Sequence, residues 1–176
     1  MKHFLVVVDL QRDFVSGALG SEEARAMLPY AADLIRKFEG EIFVTMDTHQ
    51  ENYFETSEGR HLPVEHCIRG QEGWKLEEEI EEALCSQGGY SAVEKPTFGS
   101  VALPGILGHA SGGEEFDVTL IGVCTDICVV SNALLLKAFF PEVSIRVDAR
   151  ACAGVTRESH EAALRTMQMC QIEILS

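Results

Sequence analysis

Asp9, Lys95 and Cys128 each stand at or just beyond the end of an apolar, strand-like run, in FLVVVD, YSAVEK and VTLIGVCTDIC. In a parallel sheet such ends lie side by side, so a carboxylate, an ammonium and a thiol far apart in the chain can share one crevice. That trio suits a cysteine nucleophile. A free thiol titrates near about 8.5, but a helix N-terminus and a nearby cation lower that by roughly one to several units. Cys128 leaves its strand through Cys124-Thr125-Asp126 and enters an apolar stretch. It is therefore expected in the first turn of a helix, facing unpaired N–H groups, with Lys95 as the cation. Asp9 has two possible jobs, taking the thiol proton as a general base or only holding Lys95 in place. Taken singly, the three residues read as plainly as a strand-end ion pair and a core cysteine.

A second cluster raises the chemical reading. The run Thr45-Met46-Asp47-Thr48-His49 closes another strand-like segment, and His66 lies in the loop beyond it. Asp47 and His49 alternate onto one side of an extended segment, so a carboxylate oxygen and an imidazole nitrogen can face one ion while His66 closes the site. Two histidines and a carboxylate suit zinc, iron(II) or manganese, and positions left open for water or ligand make such an ion catalytic.

The elements that must position these groups follow from periodicity. Strands are predicted at Phe4 to Val8, Glu41 to Met46, Ser91 to Glu94, Asp117 to Val123, Val143 to Val147 and Gln171 to Leu175. Pro29 to Gly40 is predicted as a helix with Ala31, Leu34, Ile35 and Phe38 on its apolar face. A helix from about Gly73 to Leu84 turns Leu76, Ile80, Ala83 and Leu84 inward, and its glutamates form a solvated face. Ile127 to Phe140, stopped by Pro141, and Arg157 to Met169, capped by Thr156, complete the set. The prolines and glycines between Lys95 and Gly113 predict a short turn of helix and a loop, which could bring Phe98 to the site. Alternating strands and helices give an α/β fold with a parallel sheet covered on both faces.

Composition bounds the function. The 176 residues, 46% hydrophobic and 24% charged, suit a single domain spanning residues 1–176 with a sizeable core. A formal charge of −14 disfavours nucleic acid and anionic membrane surfaces as partners and leaves a small molecule. The start MKHFLVVVDL is too short in apolar residues for a signal core or a membrane span, so a cytoplasmic protein is expected. In that compartment the six cysteines should be free thiols, mostly buried.

Taken together, VVVDLQRDF, VTMDTH, PVEHCIRG, VEKPTFGS and LIGVCTDICV resemble the isochorismatase-like cysteine hydrolases, and within them the nicotinamidases, over nearly the whole chain. The resemblance implies a three-layer αβα sandwich around a six-stranded, mainly parallel sheet. It implies that Asp9, Lys95 and Cys128 are the catalytic triad and that Asp47, His49 and His66 hold one divalent metal ion, zinc above iron or manganese, with Glu58 as a fourth ligand. It also implies a cis peptide before Cys124, an oxyanion hole made by the backbone N–H groups of Cys124 and Cys128, and Phe14 and Leu19 in the substrate pocket.

The implied activity is hydrolysis of nicotinamide to nicotinate and ammonia through a Cys128 thioester, a step of NAD salvage, in a homo-oligomer. Two departures bear on the substrate. Pro63 stands where many nicotinamidases carry an aromatic residue, and PTFGS replaces a longer tyrosine-bearing loop, so Phe98 is a candidate for the ring wall. The alternatives are a relative acting on another small amide or on carbamoyl or ureido groups, and, from another class, a metabolite-binding or thiol redox-sensing protein.

Overall fold

The computed structural model describes residues 1–176. Strands β1 (Lys2–Val8), β2 (Glu41–Asp47), β3 (Ser91–Lys95), β4 (Phe116–Val123), β5 (Ser144–Ala153) and β6 (Glu173–Leu175) form one six-stranded sheet. Its order is β3-β2-β1-β4-β5-β6, and every neighbouring pair is parallel. The helices are α1 (Arg12–Val15), α2 (Glu22–Lys37), α3 (Ser57–His61), α4 (Glu78–Ser86), α5 (Leu103–Ser111), α6 (Val130–Phe139) and α7 (Arg157–Met169). No helix is long and apolar enough to cross a membrane.

The central strands are buried on both faces, which explains their unbroken apolar runs. In β1, Leu5 and Val7 meet Ala31, Ile35, Ile80 and Leu84 of α2 and α4 on one side of the sheet. Phe4, Val6 and Val8 meet Leu107, Leu136 and Met167 of α5, α6 and α7 on the other. The strand order reverses between β1 and β4, and at such a switch point the connections leave to opposite faces and open a crevice beyond the strand ends. Gly122 permits the close pairing there. It has φ +122, and a Cβ at that position would lie 2.0 Å from the Val8 carbonyl oxygen.

Several boundaries depart from the sequence expectation. Helix α2 begins at Glu22, where the Ser21 side chain accepts the Ala24 N–H, and continues through Pro29. Pro29 lies on the exposed face, where water can serve the carbonyl that lacks a helical donor. The predicted helix from Gly73 divides into a 3₁₀ turn, Glu72–Trp74, and α4. The stretch after Lys95 carries a nine-residue helix, α5, rather than a mere turn and loop. Pro104 sits in its first turn, where no N–H is needed, and Gly112 ends it at φ +60. Strand β5 runs on to Ala153, well past Val147. Helix α7 and its Thr156 cap lie where the sequence puts them.

Candidate active site

Four strand ends deliver side chains to the crevice. Parallel pairing sets Asp47 of β2 directly beside Lys95 of β3. Asp9, one residue past β1, turns out of the sheet at φ 49. Its Oδ1 accepts the Thr45 hydroxyl at 2.6 Å. The Lys95 ammonium pairs with Asp9 Oδ2 at 2.7 Å, deep in the protein. Lys95 Nζ also lies 3.3 Å from Asp47 Oδ1, donates to the Thr97 carbonyl at 3.1 Å and stands 3.6 Å from Cys128 Sγ. Asp9, Lys95 and Cys128 are all buried. Burial works against the charge on Lys95, but Asp9, Cys128 and Asp47 outweigh it and hold the ammonium protonated.

The turn bearing Cys128 differs from the expected α-helical start. Val123–Cys124 is a cis peptide, and Thr125–Val129 form a π turn that runs into α6. The Cys124 carbonyl accepts the N–H groups of both Ile127 and Val129, so these donors are satisfied inside the turn and do not face the sulfur. The thiol is pushed up, not down: burial raises it well above the ordinary cysteine value, Asp9 adds to this, and Lys95 opposes it. Burial also raises Asp9 against the pull of Lys95. At neutral pH the resting sulfur therefore keeps its proton, beside a carboxylate made more basic than usual.

The second cluster adjoins the first through Asp47. His49 Nε2 lies 3.0 Å from Asp47 Oδ2, and His66 Nε2 is 3.6 Å from the same oxygen. Glu58 of α3 joins them, with Oε1 3.6 Å from His49 and 3.4 Å from His66. One ligand atom from each of the four lies within 4.8 Å of all the others. His66 Nδ1 donates to the Val64 carbonyl at 2.8 Å, which turns Nε2 inward, the usual support for a ligating imidazole. Burial lowers His66, but bonds to Asp47 and Glu58 prevail and push it up to about 10. Asp47 is held far below the usual carboxylate range: burial raises it, and His49, His66 and Lys95 together more than reverse that. This field draws positive charge, and nitrogen and oxygen donors at this mutual spacing fit a divalent cation.

A cavity of about 990 Å³ opens over both clusters. Phe14, Leu19, Phe98, Cys124, Cys128 and the four clustered donors line it, as does His61, an exposed residue outside both clusters. All six cysteines are free; Cys67, Cys128 and Cys152 are buried, whereas Cys85 and Cys170 are exposed.

Sequence reasoning missed the polar residues behind the site. Gln11 is fully buried and clamps β2: its Oε1 accepts the Asp47 N–H at 2.8 Å, and its Nε2 donates to the carbonyls of Asp47 at 2.9 Å and Trp74 at 2.8 Å. Tyr53 packs against His49 and His66 with ring centroids 4.9 and 5.1 Å away, and its hydroxyl donates to the Leu62 carbonyl. Thr45 carried a signal, as a lone polar residue in the apolar IFVTMD; Gln11 in DLQRDF and Tyr53 in ENYFET carried none.

A family model for the isochorismatase domain matches residues 3–176. The chain belongs to the isochorismatase family. Solved structures of similar fold include the pyrazinamidase/nicotinamidase of Streptococcus mutans UA159, 26% identical with a TM-score of 0.86, covering 99% of this chain and 100% of that one. The pyrazinamidase of Pyrococcus horikoshii, solved in complex with zinc, is 28% identical with a TM-score of 0.79 over 100% of this chain and 99% of its own. The N-carbamoylsarcosine amidase of Thermoplasma acidophilum shares the fold at 24% identity and a TM-score of 0.77, with 99% and 96% covered. No curated protein sequence matches. Membership makes the chain an isochorismatase-like hydrolase with nicotinamidases among its structural neighbours.

Proposed function

We propose that this isochorismatase-family hydrolase is a metal-containing cysteine amidohydrolase that converts nicotinamide or a closely similar ring amide to its acid and ammonia. The observation that carries the reading is the buried cluster of Asp9, Lys95 and Cys128, with Asp9 Oδ2 2.7 Å from Lys95 Nζ and the same ammonium 3.6 Å from Cys128 Sγ. A carboxylate in that place, made more basic by its burial, can receive the thiol proton.

In the first step the Cys128 S–H proton passes to Asp9 as sulfur bonds to the amide carbon. The carbonyl π electrons move to oxygen, where the Cys124 and Cys128 N–H groups receive the negative charge. Lys95, within 2.7 Å of Asp9 and 3.6 Å of the sulfur, steadies the charge as it shifts from carboxylate to sulfur. The C–N bond then breaks, Asp9 returns the proton to the departing nitrogen, and ammonia leaves a thioester on Cys128. Asp9 next takes a proton from water as its oxygen attacks, the C–S bond breaks, the acid departs and the thiol is restored.

Asp47, His49, Glu58 and His66 would hold the divalent ion, a reading supported by a relative solved with zinc. When bound, such an ion supplies a Lewis-acid contact for a ring nitrogen or water and so orients the substrate. Phe14 and Phe98 offer faces for an aromatic ring. No lysine or arginine lines the cavity, which favours an uncharged amide over a carbamoyl amino acid with its carboxylate.

The test is ammonia release by metal-loaded protein from nicotinamide, pyrazinamide and a panel of small amides, with intact-mass detection of an acyl adduct on Cys128. No release from any of them, or full activity in Cys128→Ala, overturns the reading. Tight binding without turnover, or reversible oxidation of Cys128 coupled to a partner, would point to a sensor instead.

A further inference from the structure

Asn132 is a fully buried amide on the otherwise apolar inner side of α6, one helical turn beyond Cys128. A buried amide in such surroundings is tolerated only when its groups are paired. Its Nδ2 donates to the Cys128 carbonyl at 2.8 Å and lies 3.5 Å from the Phe98 carbonyl. Its Oδ1 accepts the Ser100 N–H at 2.9 Å. One side chain thus ties the nucleophile's own peptide to the segment Pro96–Ser100.

That segment touches the reaction centre at two points. The Thr97 carbonyl accepts from Lys95 Nζ, and Phe98 lines the cavity while remaining 48% exposed. The segment is pressed tightly onto α6, since a Cβ on Gly99 would lie 2.6 Å from Leu135 Cδ1 and 3.2 Å from Ser131 Cβ. Little apolar burial fastens Phe98 itself, so the hydrogen bonds to Asn132 carry the anchoring.

We propose that Asn132 is a positioning residue that locks the Pro96–Ser100 segment against the turn bearing Cys128, setting Phe98 as a wall for ring amides and the Thr97 carbonyl on Lys95. The inference rests on the reading of Cys128 as an amide-cleaving nucleophile. The two halves of the Asn132 side chain divide the work: Oδ1 anchors the segment, and Nδ2 fixes the nucleophile's peptide.

Asn132→Thr separates the halves, because a threonine hydroxyl can still bond the carbonyl four residues earlier but cannot reach Ser100. It should raise KM for a ring amide about tenfold, one lost anchoring contact, while kcat and KM for an acyclic amide such as propionamide stay within about twofold. Asn132→Leu loses both halves and should lower kcat about tenfold as well. Gly99→Val, too bulky for a turn of the Leu135 tip to absorb against Ser131, pushes the segment off α6 without touching Asn132 and should reproduce the KM rise, which keeps the test open if Asn132→Leu does not fold. Iodoacetamide labelling of Cys128, followed by peptide mass spectrometry, should be several-fold faster in all three variants than in the native chain. Unchanged KM, kcat and labelling in Asn132→Thr and Gly99→Val overturn the proposal, as do equal KM rises for ring and acyclic amides. If the native protein hydrolyses no amide, the proposed function falls, and the labelling arm alone decides whether Asn132 locks the segment.

Discussion

The two halves of the site are built differently although they share Asp47. The Asp9–Lys95–Cys128 half hangs on strand ends and one turn, so parallel pairing fixes its geometry, as in the direct Asp47–Lys95 register. The Asp47–His49–Glu58–His66 half takes three members from the segment between β2 and β3, among them Glu58 on the five-residue helix α3. A sheet holds its groups through many cooperative hydrogen bonds, whereas a loop holds them through a few side chains such as Tyr53 and Gln11. The first half should therefore fail through chemistry when altered, and the second through occupancy.

Cys128→Ala should produce the largest effect, a loss of ammonia release on the order of 10⁴-fold or more, with metal content by atomic emission unchanged. A parallel loss of metal would mean the halves are not separable. Lys95→Met touches both halves, since Lys95 pairs with Asp9 and Asp47. It leaves the buried Asp9 carboxylate without its cation and should cost about 3–5 kcal/mol in urea unfolding besides abolishing activity. Native-like stability would remove the ion pair from the account.

Gln11→Leu releases the Asp47 backbone without removing a ligand atom and should weaken metal binding by about 10–100-fold, measured by competition with a chelator. Restoration of activity by excess metal would place the defect in occupancy. The smallest expected signal is protonic. His66, held up to about 10, carries a proton at pH 7 that an incoming cation must displace. Metal binding should therefore release about one proton near pH 7, read as buffer-dependent calorimetric heat, and should weaken as pH falls. Heats independent of the buffer would contradict the raised imidazole.

The contrast between the halves also explains what the sequence made legible. Strand ends were visible because buried parallel strands write continuous apolar runs, and Asp9, Asp47 and Lys95 punctuate them. Glu58 carried no periodic signal and rested on resemblance alone. The direction of the Cys128 shift could not be read, because it depends on how deeply the sulfur is buried and on the balance between Asp9 and Lys95 beside it. Helix α5 was obscured by prolines and glycines that serve its ends, and Pro29 hid the first half of α2 because solvent exposure, invisible in the sequence, decides whether a proline interrupts a helix.

Gly122 narrows the routes by which this catalyst can be redesigned. With the Val8 carbonyl 2.0 Å from where a methyl group would go, the pairing of β1 with β4 beneath the crevice tolerates no side chain at this position. New substrates must be accommodated by exchanging peripheral residues such as Leu19, His61 and Phe98. A mutational library aimed at altered selectivity should therefore spend its diversity on those margins and leave the floor between the first and fourth strands as it stands.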